Sequence, residues 1–257
     1  MAKVLIIPDV HLKPNMFDMA DTIIKQTTVD NIVFLGDLID DWDQENNIDL
    51  YKETINRAIK FKKDHSNSLY CWGNHDVGYF ANWSCSGNSK LYANEIKVLL
   101  NQYERIVEPK YVQVIDNILF SHAGIENYTA KSIMRFSDSS TVEELANELN
   151  KLSINTMGDY DSPIWLRPEV FIQYFSDYTQ IVGHSPVKRP MYEMNTWFLD
   201  LFSTSPKTKK YVSDKVYFAI LDTINYTISF YDAINNLKFV ITVDKLHWND
   251  YNGEKEI

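Results

Sequence analysis

The first eighty residues alternate between two hydrophobic rhythms. Short runs rich in β-branched or aromatic residues, "KVLIIPDVH", "NIVFLGDLID" and "SLYCWGNHD", each end in a polar cluster. Between them, "NMFDMADTIIKQT" and "LYKETINRAIKFKKDH" repeat apolar positions every three to four residues, the spacing of a helix with one buried face. The alternation predicts β-α-β-α-β and a mostly parallel sheet covered on both sides. In such sheets ligands gather outside the carboxyl ends of the strands. The polar clusters fall at those ends.

Further on the rhythm changes. "YVQVIDNILFSHAGI" reads as two strands joined by a hairpin turn at Asp116-Asn117. Helical material follows, including "TVEELANELN", where Thr141 and Glu144 have capping-box spacing. The runs "TQIVGHSPV", "NTWFLDLF", "KVYFAILDT", "YTISFYDA" and "LKFVITVD" are then strands, expected to be mostly antiparallel. No repeat, low-complexity tract or linker divides the chain, so residues 1–257 are expected to form one domain. The fold class is α/β: two mixed sheets packed face to face, with helices on the outer faces.

Composition narrows the possible partners. A formal charge of -10 and a pI near 5.0 repel polyanions, which counts against nucleic acid. The one basic cluster, "SPKTKK" ending at Lys210, is expected to be a solvated loop. Cys71 and Cys85 offer no disulfide framework, which suits a reducing, cytoplasmic setting. The apolar stretch of "MAKVLIIPDVH" is shorter than the roughly 7–15 residues of a secretory segment. No run reaches the roughly 18 apolar residues of a membrane span.

Five strand ends carry metal-binding residue types. Asp9 and His11 lie two apart on what reads as an extended segment, so their side chains should share one face. Asp37 follows Gly36, Asn74 follows Gly73, His122 closes "LFSHAG" and His184 closes "TQIVGHSP". Each alone has an ordinary structural explanation. Together they place two carboxylates, three imidazoles and an amide oxygen at one sheet edge, a ligand set suited to Mn, Fe or Zn. Two metals ~3.5–4 Å apart need a bridging ligand; such a pair acidifies water into a hydroxide nucleophile and clamps phosphoryl oxygens. Phosphate ester hydrolysis is the matching reaction.

The ordered motifs "DVH", "GDLID", "GNHD", "SHAG" and "GHSP" resemble those of the calcineurin-like metallophosphoesterases. The resemblance implies a four-layer sandwich and two divalent ions, with manganese favoured over Fe, Zn, Mg or Ni. It implies Asp9 and His11 on the first ion, Asp37 as bridge, and Asn74, His122 and His184 on the second. His75 becomes the general acid, oriented by Asp40, and Asn74 also faces substrate phosphate. "HAGI" and "GHSP", with Pro186 where many relatives have a second histidine, are similar to the serine/threonine protein phosphatase and diadenosine tetraphosphatase branch. Trp165 and Arg167 in "SPIWLRP" resemble a Trp-x-Arg segment of bacterial and phage-type phosphatases, whose arginine reaches phosphate.

That branch continues Gly-Asp-x-x-Asp with an arginine, whereas this chain has Asp41, Trp42 and Asp43, implying a negative rim. The expected activity is a protein-phosphatase-like phosphomonoesterase acting on a phosphoprotein, nucleotide or small phosphoester. A dinucleoside polyphosphate hydrolase is the alternative enzyme, and a non-catalytic binding protein stabilised by its metals is the alternative class. Tyr79 and Trp83 are expected to pack, or to wall the cleft; Asp76 supports the loop. His65 suits the end of a helix, and His247 lies in a polar tail.

Overall fold

The computed structural model describes residues 2–137, 141–168, 173–213, 215–232 and 238–240. His247 and the end of the last predicted strand lie outside the described residues.

The predicted β-α-β-α-β opening is present as β1 (Lys3–Ile7), α1 (Asn15–Gln26), β2 (Asn31–Phe34), α2 (Ile48–Asp64) and β3 (Ser68–Tyr70). These three strands run parallel. Against β1 lie the antiparallel β9 (Tyr217–Asp222), β10 (Thr227–Asp232) and β11 (Lys238–Val240), giving the sheet order β11-β10-β9-β1-β2-β3. The second sheet has the order β4-β5-β6-β8-β7, with β4 (Val112–Ile115), β5 (Ile118–Ser121), β6 (Gln180–Val182), β7 (Met191–Glu193) and β8 (Thr196–Phe198). In the β4–β5 turn Asp116 and Asn117 sit at φ 48° and 63°, the left-handed pair a two-residue hairpin needs. The antiparallel expectation fails for β6, which pairs parallel with both β5 and β8. β7 is not announced by the sequence: its residues, MYE, follow Pro190 and carry no apolar run.

Strand alternation builds the layers. Val4 and Ile6 of β1 point between the sheets, where they meet Phe120, Ile181, Trp197 and Phe230. Leu5 and Ile7 point the other way, into the side chains of α1, α2 and α4 (Ala93–Val107). On the opposite outer face α5 (Asn127–Phe136) and α6 (Val142–Asn150) pack on Val112 and Leu119. The result is the expected order of helices, sheet, sheet, helices. Full burial of each such aliphatic or aromatic side chain contributes ~1.5–3 kcal/mol.

The capping box of α6 is formed, with Glu144 N donating to Thr141 Oγ1 (3.2 Å) and Thr141 N to Glu144 Oε2 (3.1 Å). His65 caps α2, its Nε2 2.8 Å from Asp21 Oδ1. Among the described residues no helix is long and apolar enough to cross a membrane.

Candidate metal centre

All five motif turns open at the carboxyl ends of β1, β2, β3, β5 and β6, and they converge. Why they converge differs from the sequence reading. Asp9 and His11 do not share a face of an extended segment, because β1 ends at Ile7 and His11 takes φ 44°. The loop is instead stapled to the next motif, with Val10 N (3.0 Å) and His11 N (2.8 Å) both donating to Asp37 O. Asp37, Asp40 and His184 are also left-handed, at φ 46°, 64° and 62°. Each non-glycine residue held there costs of order 1–3 kcal/mol, and such strain gathers at functional sites.

Gly73 is required by packing rather than by backbone conformation. Its φ is -103°, open to any residue, but a Cβ there would lie 2.1 Å from Asp37 Oδ1. Similarly, a Cβ on Gly183 would lie 1.9 Å from Asp9 Oδ1. These glycines admit carboxylates. Gly73 is followed by an unforeseen helix, α3 (Asn74–Ala81), which starts on the motif itself. Asp76 joins the pieces: its Oδ2 accepts from Gly73 N (3.1 Å) and its Oδ1 from Leu38 N (2.9 Å). Burial, with the nearby Asp37 charge, raises the Asp76 carboxyl well above the usual range.

Two groups of donors share Asp37. One is Asp9, His11 and Asp37; the other is Asp37, His122 and His184; within each, the donor atoms lie within 4.8 Å of one another. The tautomers can be reasoned out. His122 Nδ1 lies 2.9 Å from Leu35 O and His11 Nδ1 2.9 Å from Asp40 O. A carbonyl only accepts, so each Nδ1 is the donor and each Nε2 of the neutral ring keeps its lone pair. Around His122 Nε2 stand Asn74 Oδ1 (3.0 Å), His184 Nδ1 (3.0 Å) and Asp37 Oδ2 (3.2 Å). Acceptors crowd there with too few protons to pair them.

A cation fits that deficit. Asp37 Oδ2 is also 3.6 Å from His11 Nε2, so one oxygen faces both groups. Asp9 Oδ2 accepts from His184 N (2.8 Å), while Asp9 Oδ1 and His184 Nε2 are buried without a hydrogen-bond partner among the described residues. Burial, helped by Asp200 and Asp37, raises Asp9 well above the usual carboxylate range. Burial would raise Asp37 too, but positive charge among the surrounding imidazoles, at His122 first and His75 next, outweighs it and holds Asp37 well below that range; with His122 neutral, an ion would supply that charge. Burial lowers His11 and, with Arg167, depresses His184 strongly, so both favour the neutral form a metal requires.

Beside these donors His75 places Nδ1 3.0 Å from Asp40 Oδ2 and turns Nε2 toward Asp37 Oδ2, 4.0 Å away. Burial alone would depress His75, but Asp37 and Asp40 dominate and push it up to about 9. Asp40 is itself fixed by two phenols, Tyr51 (2.8 Å) and Tyr79 (2.7 Å), both donating to Oδ1. Sequence reasoning missed this use of both. Tyr79 stands one helical turn after His75, a spacing that α3 would have revealed.

The rim departs from the negative expectation. Asp40 is buried and engaged, Asp41 pairs with Lys13 Nζ (3.0 Å), and Asp43 pairs with Lys209 (3.1 Å). Thr204 also donates to Asp41. The basic cluster is exposed from Pro206 to Lys210, as expected of a solvated loop, yet Lys209 reaches back over the Trp42 ring. Arg167 is exposed, and its guanidinium donates to His184 O (3.3 Å). Trp165 sets its ring edge-on to His184 and near Trp83.

A family model described as calcineurin-like phosphoesterase matches residues 2–249. No curated protein sequence matches the chain. Two solved structures of a cold-active protein tyrosine phosphatase, one of them a mutant, are similar at 18% identity and TM-scores of 0.56 and 0.54. Each alignment covers 93% of this chain, and 80% and 78% of the respective phosphatase chains. A metallophosphoesterase from Sphaerobacter thermophilus aligns over 89% of this chain and 86% of its own at 13% identity, TM-score 0.42.

Proposed function

The chain belongs to the calcineurin-like phosphoesterase family, whose members hydrolyse phosphate esters with divalent metal ions, and on that premise we propose a phosphomonoesterase of protein-phosphatase type. Asp9, His11 and Asp37 would hold one ion; Asp37, Asn74, His122 and His184 would hold the other. Manganese suits this mixed oxygen and imidazole set. When bound, the ions supply Lewis acidity to water and to the phosphoryl oxygens.

The observation that carries the reading is the His75–Asp40 pair. Holding metal requires neither residue. Asp40 accepts from His75 Nδ1–H and leaves the Nε2 proton directed at the space beside Asp37, where a departing ester oxygen would take it. Tyr51 and Tyr79 keep Asp40 from rotating away. Asn74 and the exposed Arg167 would contact the phosphoryl group, the guanidinium offering the planar fork that phosphate favours. With Lys13 and Lys209 already paired to acids, Arg167 is the cation best placed for one phosphate, which favours monoesters over chains of phosphates. Those same features weigh against a passive binding protein. Cys71 and Cys85, both free and buried, suit the cytosol.

The test is a substrate panel with manganese-reconstituted protein. Phosphoserine, phosphothreonine and phosphotyrosine peptides and an aryl phosphate should release inorganic phosphate; phosphotyrosine is included because the similar cold-active enzyme is named for it. Release of nucleotide from diadenosine tetraphosphate alone would transfer the assignment to the polyphosphate hydrolases. No turnover on any substrate would leave the binding-protein reading standing.

A further inference from the structure

One buried acid beside the centre has no part in the scheme above. Asp200 follows β8 and is 1% exposed. Its Oδ1 accepts from Ser203 N (3.1 Å) and its carbonyl from Val187 N (3.0 Å). Its Oδ2 is buried with no hydrogen-bond partner among the described residues, the condition shared by Asp9 Oδ1. β8 runs parallel to β6 with Phe198 opposite Val182, and Leu199 N donates to Val182 O (2.8 Å), so Asp200 leaves the sheet beside Gly183 and His184, the backbone against which Asp9 is packed; its charge accordingly bears on Asp9 and His11.

Two carboxylates buried on neighbouring backbone, each with an oxygen that lacks a partner among the described residues, call for a positive charge nearby. Lys13 lies within reach of the Asp200 charge, but its ammonium is held by Asp41 Oδ2 and His11 O, both at 3.0 Å. The donor group on this side comprises Asp9, His11 and Asp37, with Asp200 outside it, and Pro186 supplies no side-chain ligand after His184. We propose that Asp200 is an outer carboxylate of the Asp9–His11–Asp37 ion site, a positioning residue that strengthens divalent-ion binding there through its charge. The inference rests on the metal reading given above and extends it to a residue outside the recognised motifs.

The sign of the stability change separates this role from a merely structural one. Asp200→Asn keeps the shape and the acceptor for Ser203 N but removes the charge. In metal-free protein the melting temperature should rise, because a buried carboxylate with a partnerless oxygen is gone. Manganese titration by calorimetry, with metal counted per chain, should find one site weakened at least tenfold and the other unchanged, and the stabilisation by manganese should shrink. Asp200→Ser, which also keeps an acceptor, should behave alike. A fall in melting temperature by the same amount with and without manganese, at unchanged affinities, would overturn the proposal. Wild-type protein that binds no manganese would instead overturn the metal reading, and the inference with it.

Discussion

The two halves of the centre share Asp37 but are built from different materials. The half with Asn74, His122 and His184 hangs on regular structure at two of its three donors: His122 immediately follows β5, Asn74 opens α3, and Leu35 O locks the His122 tautomer, while His184 is itself left-handed two residues beyond β6. All three of those side chains are buried. The half with Asp9 and His11 is a left-handed loop held by the carbonyl of Asp37, and the His11 side chain is 13% exposed. Donors on strand and helix ends lose little freedom on binding an ion, whereas donors on a loop must be held by their surroundings. The halves should therefore differ in affinity, the second ion bound more tightly than the first.

The largest effect comes from removing what the halves share. Asp37→Asn takes the facing oxygen's charge from both groups and should leave fewer than one ion per chain, with turnover at background. Elemental analysis of the purified variant checks it. If one ion stayed tightly bound, the halves would be more independent than the geometry implies.

Next comes the variant that leaves both halves intact. His75→Asn should keep two ions per chain while lowering kcat by ~10²- to 10⁴-fold, the usual worth of a general acid. The expected deficit is smaller for substrates with a good leaving group, such as an aryl phosphate, since those need less protonation. Equal losses on aryl and alkyl phosphates would remove His75 from leaving-group protonation.

A third effect lies one layer out. Tyr79→Phe deletes one of the two phenols on Asp40 Oδ1 and should cost ~10-fold in kcat, with metal content unchanged, as outer hydrogen bonds typically cost 10–100-fold. Tyr51→Phe should act alike, and the double variant should lose more than either because Asp40 is then left buried with an unpaired oxygen. The measurement is kcat for the three variants beside metal content.

Legibility in the sequence followed the same division. The five turns could be read because each puts a ligand type directly after a short apolar run, four of them with a glycine beside it. Their convergence could be read from the parallel opening. The mechanism of convergence could not, since the bonds from Val10 N and His11 N to Asp37 O join residues that no local pattern connects. Helix α4 displays a buried stripe at Ile96, Leu100, Tyr103 and Val107, a helical spacing that the sequence carries in full. Tyr51, Lys13 and Asp200 reach the site through the packing of distant segments, and composition carries no trace of that. The acidic string Asp40, Asp41 and Asp43 misled for the same reason: its counter-charges come from residues 13 and 209.

The smallest predicted effect concerns that rim and separates its two lysines. Lys209 and Asp43 are largely exposed, with side chains 42% and 67% accessible, whereas Lys13 and Asp41 are 10% and 16% accessible. An exposed pair contributes ~0–1 kcal/mol and is screened by salt. Lys209→Ala should therefore change stability by no more than ~1 kcal/mol, measured as a shift in denaturant midpoint that vanishes at high salt. Lys13→Met leaves Asp41 partly buried without its partner and should cost clearly more, with little salt dependence. Its effect should also appear in the first ion site, because Lys13 Nζ holds the carbonyl of His11. Equal, salt-sensitive losses in the two variants would mean that Asp41 is as well solvated as Asp43, and that the loop half of the centre draws no support from the rim.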